Sequence, residues 1–392
     1  MAMRKEDKMK IGRYAARPLS ETNFYQEDLE ALPDLPQEII IEILSRLPVR
    51  SLVKFRCVSK SWSSIISSPS FIKTHLKISS NSRKYANKSL VFGHTNSPSK
   101  LYTCYLYSIL SENSTANTME IDPPLRMQGH QLSFVGCCNG LVCILNSRDI
   151  LVLWNPSTRK SKQLPYSPNH GNHGYFAYGF GYDESHDDYK VVEICNICYQ
   201  PFSFETPVNV YSLVTNSWRR IQDYLGPFVS PRSCVFMNNA LHWPVARSNH
   251  DKVTRSILSF NMAEETYQQI PVFKLENRYF GWSIGILEEC LVTCEYCEFW
   301  TEVWALKEYG VKESWTKLFT IPLSFEDTIL PLLVIENSGI VVKCGLGIML
   351  YNSQDKSAKH WELPALGNSL KTAAATYIES LVSPDTEDEL GA

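Results

Sequence analysis

Six times along this chain an aromatic residue in a short apolar run leads into a polar turn: Tyr105, Trp154 (Val-Leu-Trp-Asn-Pro-Ser-Thr-Arg-Lys), Tyr211, Phe260, Trp304 and Tyr351. The steps between them are roughly 44 to 57 residues, the length of a unit with several short strands. One such unit cannot bury both of its faces. Six arranged in a ring can, each covering the next, and this repeat therefore predicts a β-propeller of four-stranded blades. The Tyr105 unit fits the pattern least well.

Further punctuation agrees with that reading. Gln163-Leu164-Pro165, Gln269-Ile270-Pro271, Thr320-Ile321-Pro322 and Glu362-Leu363-Pro364 place proline at the end of an outer strand, where an edge does not need every N–H. Residues 372–382 read as one more strand, which would complete the first or last blade and leave no open edge in the ring. Within a blade the strands alternate in direction, so connections 1-2 and 3-4 share one face and connections 2-3 and 4-1 share the other. Asn139-Gly140 and residues 155–159 are short turns of the first kind. The long segments 166–175, 199–207, 223–231, 247–254 and 273–282 all fall in the second kind, which predicts one elaborated face. Long connections carry function more often than tight turns, and aromatic and Arg side chains dominate protein-binding hot spots. The candidate contacts there are Tyr166, His170, His173, Tyr175, Tyr199, Phe202, Phe204, Phe228, Arg247, Tyr279, Phe280 and Trp282.

Before residue 89 the period changes. Residues 1–30 are polar and mixed in charge and read as a tail, as do the acidic residues 384–392 at the other end. From Leu32 to about Leu76 the spacing is helical: Ile39, Ile43 and Leu47 with Ile40 and Leu44 form one stripe, Pro48 ends it, and further segments start near Ser51 and after Ser59. Pro69 opens a fourth, short turn, and residues 77–88 read as a polar connector. Phe55 and Trp62 are the expected internal core of this small unit. Arg46, Arg50, Lys54, Arg56 and Lys60 read as its solvated face. A unit of about 45 residues with this many large apolar side chains buries too little surface alone and calls for a partner.

The run Leu32-Pro33-Asp34-Leu35-Pro36 through Ser59-Lys60-Ser61-Trp62, continuing to Phe71, closely resembles the plant F-box. Gly179-Phe180-Gly181-Tyr182-Asp183, Asp187-Asp188-Tyr189-Lys190-Val191-Val192 and the closing Tyr377-Ile378-Glu379-Ser380-Leu381-Val382 resemble the F-box-associated interaction domain, a kelch-like propeller family. The strict double glycine of a kelch repeat is largely absent. The resemblance implies a multidomain α+β chain, with an all-α F-box at 31–76 and an all-β propeller of six blades at 89–383. It also implies that a Skp-type adaptor is contacted by Leu35, Pro36, Ile39, Ile40, Ile43, Leu44, Leu47, Pro48, Leu52 and Val53. A cullin and a zinc-containing ligase subunit would join indirectly, and the propeller would hold a protein target.

Composition narrows the alternatives. The 392 residues are 44% hydrophobic and 20% charged with a net charge of only -3, which disfavours a nucleic-acid binder. The N-terminus has no signal-like apolar stretch, and no apolar run reaches the roughly 18 residues a membrane helix needs, so cytoplasm or nucleus is expected. The twelve cysteines are spread through apolar strands and read as buried free thiols. Cys195-Asn-Ile-Cys198 and Cys294-Glu-Tyr-Cys297, with Cys290 nearby, have zinc-knuckle spacing. In a strand, however, positions i and i+3 point to opposite faces, so no metal is expected. His170 and His173 lack a matching ligand cluster. No phosphate loop, hydrolase elbow or metalloprotease motif occurs, and neither cofactor nor catalysis is expected. Two other readings stay open: a sugar-binding or enzymatic propeller with an F-box tether, which needs acidic, Arg or His side chains in its channel, and an adaptor-binding protein acting outside ubiquitylation.

Overall fold

The structure is a computed structural model that describes residues 35–81, 88–94, 100–106, 108, 118–124, 127–128, 130–171, 174–196, 205–231, 233–249, 252–273, 281–322, 330–335, 339–344, 347–361 and 372–385. Contacts divide the chain into a short unit, Met1–Ile40, and a long one, Ile41–Ala392. The boundary falls inside the first helix.

Proline and serine set the helix starts. In α1 (Gln37–Ser45) the Pro36 carbonyl accepts from the N–H groups of Ile39 at 3.0 Å and Ile40 at 3.2 Å. Pro48 opens α2 (Val49–Phe55) in the same way, accepting from Ser51 at 2.9 Å and Leu52 at 3.1 Å. Ser59 Oγ accepts from the Trp62 N–H at 3.1 Å and caps α3 (Lys60–Ser67). Ser68 Oγ takes the same role toward Phe71 in α4 (Pro69–Asn81). The short turn expected at Pro69 is instead the longest of the described helices, running into the stretch read as connector. Phe71, His75 and Ser79, four positions apart, are all buried, so packing carries the helix through a polar sequence.

Six four-stranded blades follow. Blade 1 starts with β1 (Lys88–His94), β2 (Leu101–Tyr105) and β3 (Met119–Ile121), and blade 2 is β4 (Leu132–Cys138), β5 (Leu141–Asn146), β6 (Leu151–Trp154) and β7 (Ser161–Gln163). Next come β8 (Tyr175–Asp183), β9 (Asp188–Asn196), a detached β10 (Glu205–Thr206), β11 (Val208–Ser212), β12 (Ser217–Arg220) and β13 (Tyr224–Leu225). Of these, β8, β9, β11 and β12 are blade 3, and β10 pairs with β13. In blade 4 the inner strand is broken into β14 (Phe228–Val229) and β15 (Val235–Met237), both on β16 (Ala240–Asn249), with β17 (Lys252–Asn261) and β18 (Tyr267–Pro271) outside. Blade 5 is β19 (Gly281–Leu287), β20 (Cys290–Tyr296), β21 (Thr301–Leu306) and β22 (Trp315–Ile321). Blade 6 is β23 (Leu330–Ile335), β24 (Gly339–Cys344), β25 (Gly347–Asn352) and β26 (Ala358–Trp361). The expected closing strand, β27 (Thr372–Ile378), pairs antiparallel with β1 from Lys88 opposite Ile378 to His94 opposite Thr372. It is the innermost strand of blade 1.

The six repeat aromatics all lie on the third strand of their blades. Trp154, Tyr211, Phe260 and Tyr351 are fully buried between blades, while Tyr105 and Trp304 are half-buried. The Gly179 and Gly181 pair in β8 is explained by crowding. A Cβ at Gly179 would come within 2.6 Å of the Trp243 ring, and one at Gly181 within 2.4 Å of the Phe236 ring. The aspartate that follows, Asp183, is buried and bonds Lys190 Nζ at 2.7 Å; that ammonium also donates to the Met262 carbonyl at 2.9 Å, tying blade 3 to blade 4.

Candidate functional site

On α1 the apolar stripe splits in two. Leu44 is buried, whereas Ile39 and Ile43 are 46% and 49% exposed and Leu35, just before the helix, is 57% exposed. Leu52 is buried, Val53, Ile40 and Leu47 are half-buried, and Pro36 and Pro48 are exposed. Leu44 and Leu52 thus form part of the chain's own core, which helical spacing alone does not distinguish from an outward stripe. Phe55 and Trp62 pack edge to face, 5.5 Å between centroids, and both are half-buried. The α1–α2 corner is pinned from α4: His75, buried and stacked on Phe71, lies with Nε2 2.9 Å from the Leu47 carbonyl. Burial holds this imidazole below its ordinary pKa. Of the basic residues read as a solvated face, Arg46, Lys54 and Lys60 are exposed, Arg56 is half-buried, and Arg50 reaches Met119 Sδ at 2.8 Å.

Helices α2–α4 stand on the face of the 1-2 and 3-4 turns. Lys73 pairs with Asp187 in the β8–β9 turn, and Ile72 and Leu76 pack into the cluster of Cys138, Leu141, Leu213 and Val382. This face carries longer connections than expected after β2 and between β21 and β22, where a single 3-10 turn covers Lys312–Ser314.

The opposite face carries the aromatic residues. Tyr166 stacks on His170 at 3.9 Å, and Tyr175 meets Phe228 edge to face at 6.1 Å across blades 3 and 4. Asn196 sets that second pair: its Nδ2 donates to the carbonyls of Tyr175 and Val229, and its Oδ1 accepts from the Val229 N–H, all at 3.0 Å. The first pair sits on a connection anchored by Asn169 Nδ2, which donates at 2.9 Å to the buried Glu193. Trp282 is half-buried under Arg255, which bonds Glu295 Oε2 at 2.8 Å. Burial pushes the Glu295 carboxyl up to about 7, and Arg255 beside it limits the rise. Arg247 is exposed, but 247–254 is not a loop: β16 and β17 run through it in register to Asn249 opposite Lys252. Two long strands pair more favourably than the polar sequence indicates. His173, Tyr199, Phe202, Phe204, Tyr279 and Phe280 lie outside the described residues.

Two aromatic residues on this face escape a search by loop length. Phe299, 66% exposed, and Trp300 stand side by side in the four-residue connection between β20 and β21. Adjacent aromatics inside a polar turn are the signal that could have found them.

Residues of the inner strands β4, β8, β15, β19 and β27 enclose a cavity. Phe134, Val135, Phe180, Phe236, Ile286 and Ala375 line this cavity of about 210 Å³, and no acidic, Arg, Lys or His side chain joins them there. The cluster that an enzymatic or sugar-binding propeller requires is not among these lining residues. The ten cysteines whose side chains are described are free thiols, and among them Cys57, in a helix corner, is exposed. No cluster of metal-ligating side chains occurs among the described residues, and no helix there is long and apolar enough to cross a membrane.

Comparison with known proteins gives two matches along the chain. Residues 32–74 match the family described as F-box domain, and residues 95–384 match the F-box associated beta propeller domain. An F-box/kelch-repeat protein of Arabidopsis thaliana is 32% identical over 90% of this chain and 96% of its own length. The F-box protein CPR1 of the same plant is 31% identical over 73% of both chains.

Proposed function

Because the chain belongs to the F-box proteins that carry an F-box-associated β-propeller, we propose that it recruits a protein target to an SCF (Skp-cullin-F-box) ubiquitin ligase for ubiquitylation and proteasomal degradation. The observation that carries this reading is the exposed apolar set Leu35, Ile39 and Ile43, inside the F-box match and open to a partner. A Skp-type adaptor covers it, and a cullin and a zinc-containing subunit follow indirectly. The target docks on the long-connection face, with Tyr166, Tyr175, Phe228, Trp282, Phe299 and Trp300 as contacts. The chain supplies no reacting group. It acts by position, raising the effective molarity of a target lysine near the charged conjugating enzyme.

The test is affinity capture from cells under proteasome inhibition, with wild type and with Leu35→Ala/Pro36→Ala. Adaptor and cullin should be lost from the variant while captured targets accumulate on it. Retention of adaptor by the variant would sink the assignment. Adaptor association with no ubiquitylated protein on the wild type would favour a role outside ubiquitylation.

A further inference from the structure

We infer that the C-terminal strap, residues 379–385, is the joint that fixes the angle of helices α2–α4 on the propeller. Contacts from four elements converge on these seven residues. From blade 2, Asn155 Nδ2 donates to the carbonyls of Ser380 at 3.0 Å and Val382 at 2.7 Å, and Ser380 Oγ donates to the Asn139 carbonyl at 2.7 Å. Lys160 reaches Asp385 at 3.3 Å. From blade 1, β27 runs directly into the strap. From α2, Val49 lines a cavity of about 190 Å³ together with Glu379 of the strap, Leu47, Pro48, His75 and Ile78. From α4, Ile72 and Leu76 pack on the cluster that contains Val382.

The energetic ranking makes the strap decisive. The direct tie between α4 and a blade turn, Lys73 with Asp187, is an exposed pair and contributes little. The apolar floor beneath Ile72 and Leu76 contributes more, and Val382 is held in that floor by the buried Asn155 amide. Release of the strap therefore loosens α4 before it loosens the distant blades. The functional consequence rests on the receptor reading: the angle sets where a bound target stands relative to the conjugating enzyme.

Hydrogen exchange on the full chain, alone and with a Skp-type adaptor, tests the joint. Asn155→Ala should raise exchange in α4 by roughly tenfold, as expected for loss of buried hydrogen bonds, while β16, β17 and β20 keep their rates. Ser380→Ala, a milder change, should raise it by about threefold and carries the test if Asn155→Ala does not fold. Unchanged α4 rates would overturn the inference, as would an equal rise in blades 4 and 5. In a reconstituted ligase the chain's own lysines serve as the probe: a loosened joint should widen the set of modified positions, and an identical set would count against the joint. Failure of the wild type to capture adaptor would instead overturn the receptor reading and leave the exchange result standing.

Discussion

Asn155 and Ser380, 225 residues apart, are joined by a buried hydrogen bond from the Asn155 side chain to the Ser380 carbonyl. Ser380 in turn fills the space that Gly140 leaves open. A Cβ on Gly140 would come within 2.1 Å of Ser380 Oγ, and the backbone there has φ +85°, a region that favours glycine. Gly140→Ala should therefore cost about 2–4 kcal/mol through combined strain and overlap, read as a lower urea midpoint. An unchanged midpoint would mean that the strap does not seat against this turn.

Exposed and buried positions of the helical unit should separate docking from folding. Ile43→Ser should change stability by no more than about 0.5 kcal/mol and still weaken adaptor capture. Leu52→Ala removes a fully buried side chain and should cost about 2–4 kcal/mol. Parallel denaturation and capture measurements check both. A large stability loss in Ile43→Ser would remove it from the partner surface.

His242 should make the propeller acid-sensitive. It is buried, with Nε2 2.6 Å from the Tyr309 hydroxyl, and burial holds its pKa at about 4 against an ordinary 6.5. The unfolded chain takes up the proton first, so this contribution is whole above about pH 6.5 and is lost as the pH falls toward 4. The full loss is about 3 kcal/mol. The stability profile of wild type minus that of His242→Gln should show this slope, and a flat difference between pH 6.5 and 4 would refute it.

The β19–β20 turn should be improvable. Glu288 and Glu289 adopt φ 47° and 62°, left-handed values that Asn-Gly accepts with less strain and that Asn139 and Gly140 show at φ 51° and 85°. Replacing the two glutamates by Asn-Gly should stabilise by about 1–2 kcal/mol in thermal unfolding. A lower midpoint would contradict the strain argument.

Phe299→Ala and Trp300→Ala leave exposed positions and should keep the unfolding midpoint within about 0.5 kcal/mol of wild type. Loss of proteins co-captured under proteasome inhibition, with adaptor capture intact, is the expected outcome. Full retention of every co-captured protein would exclude the pair from the target surface.

Much of the architecture was legible in the residues. The aromatic repeat counted six blades because each third strand needs one large side chain between sheets, and the C-terminal strand was foreseen because a ring leaves no free edge. Proline and serine marked the helix starts. The length of α4 was not legible, since the burial of His75 and Ser79 depends on neighbours far away in sequence. The extent of β16 and β17 was missed for a related reason: cross-strand pairing overrode a polar local composition. In the proposed docking surface, Ile39, Ile43 and Leu44 read alike by spacing and hydropathy, yet only Leu44 is buried.

The sequence by itself determined the two kinds of structure, the number of repeats and the family, because periodicity and local motifs are properties of neighbouring residues. Tertiary structure alone decided that the Asn139-Gly140 turn, Asn155 and the Ser380-Leu381-Val382 run form one site beneath the helices. Those segments are brought together by ring closure, and a hydrogen bond across 225 residues leaves no local periodic trace.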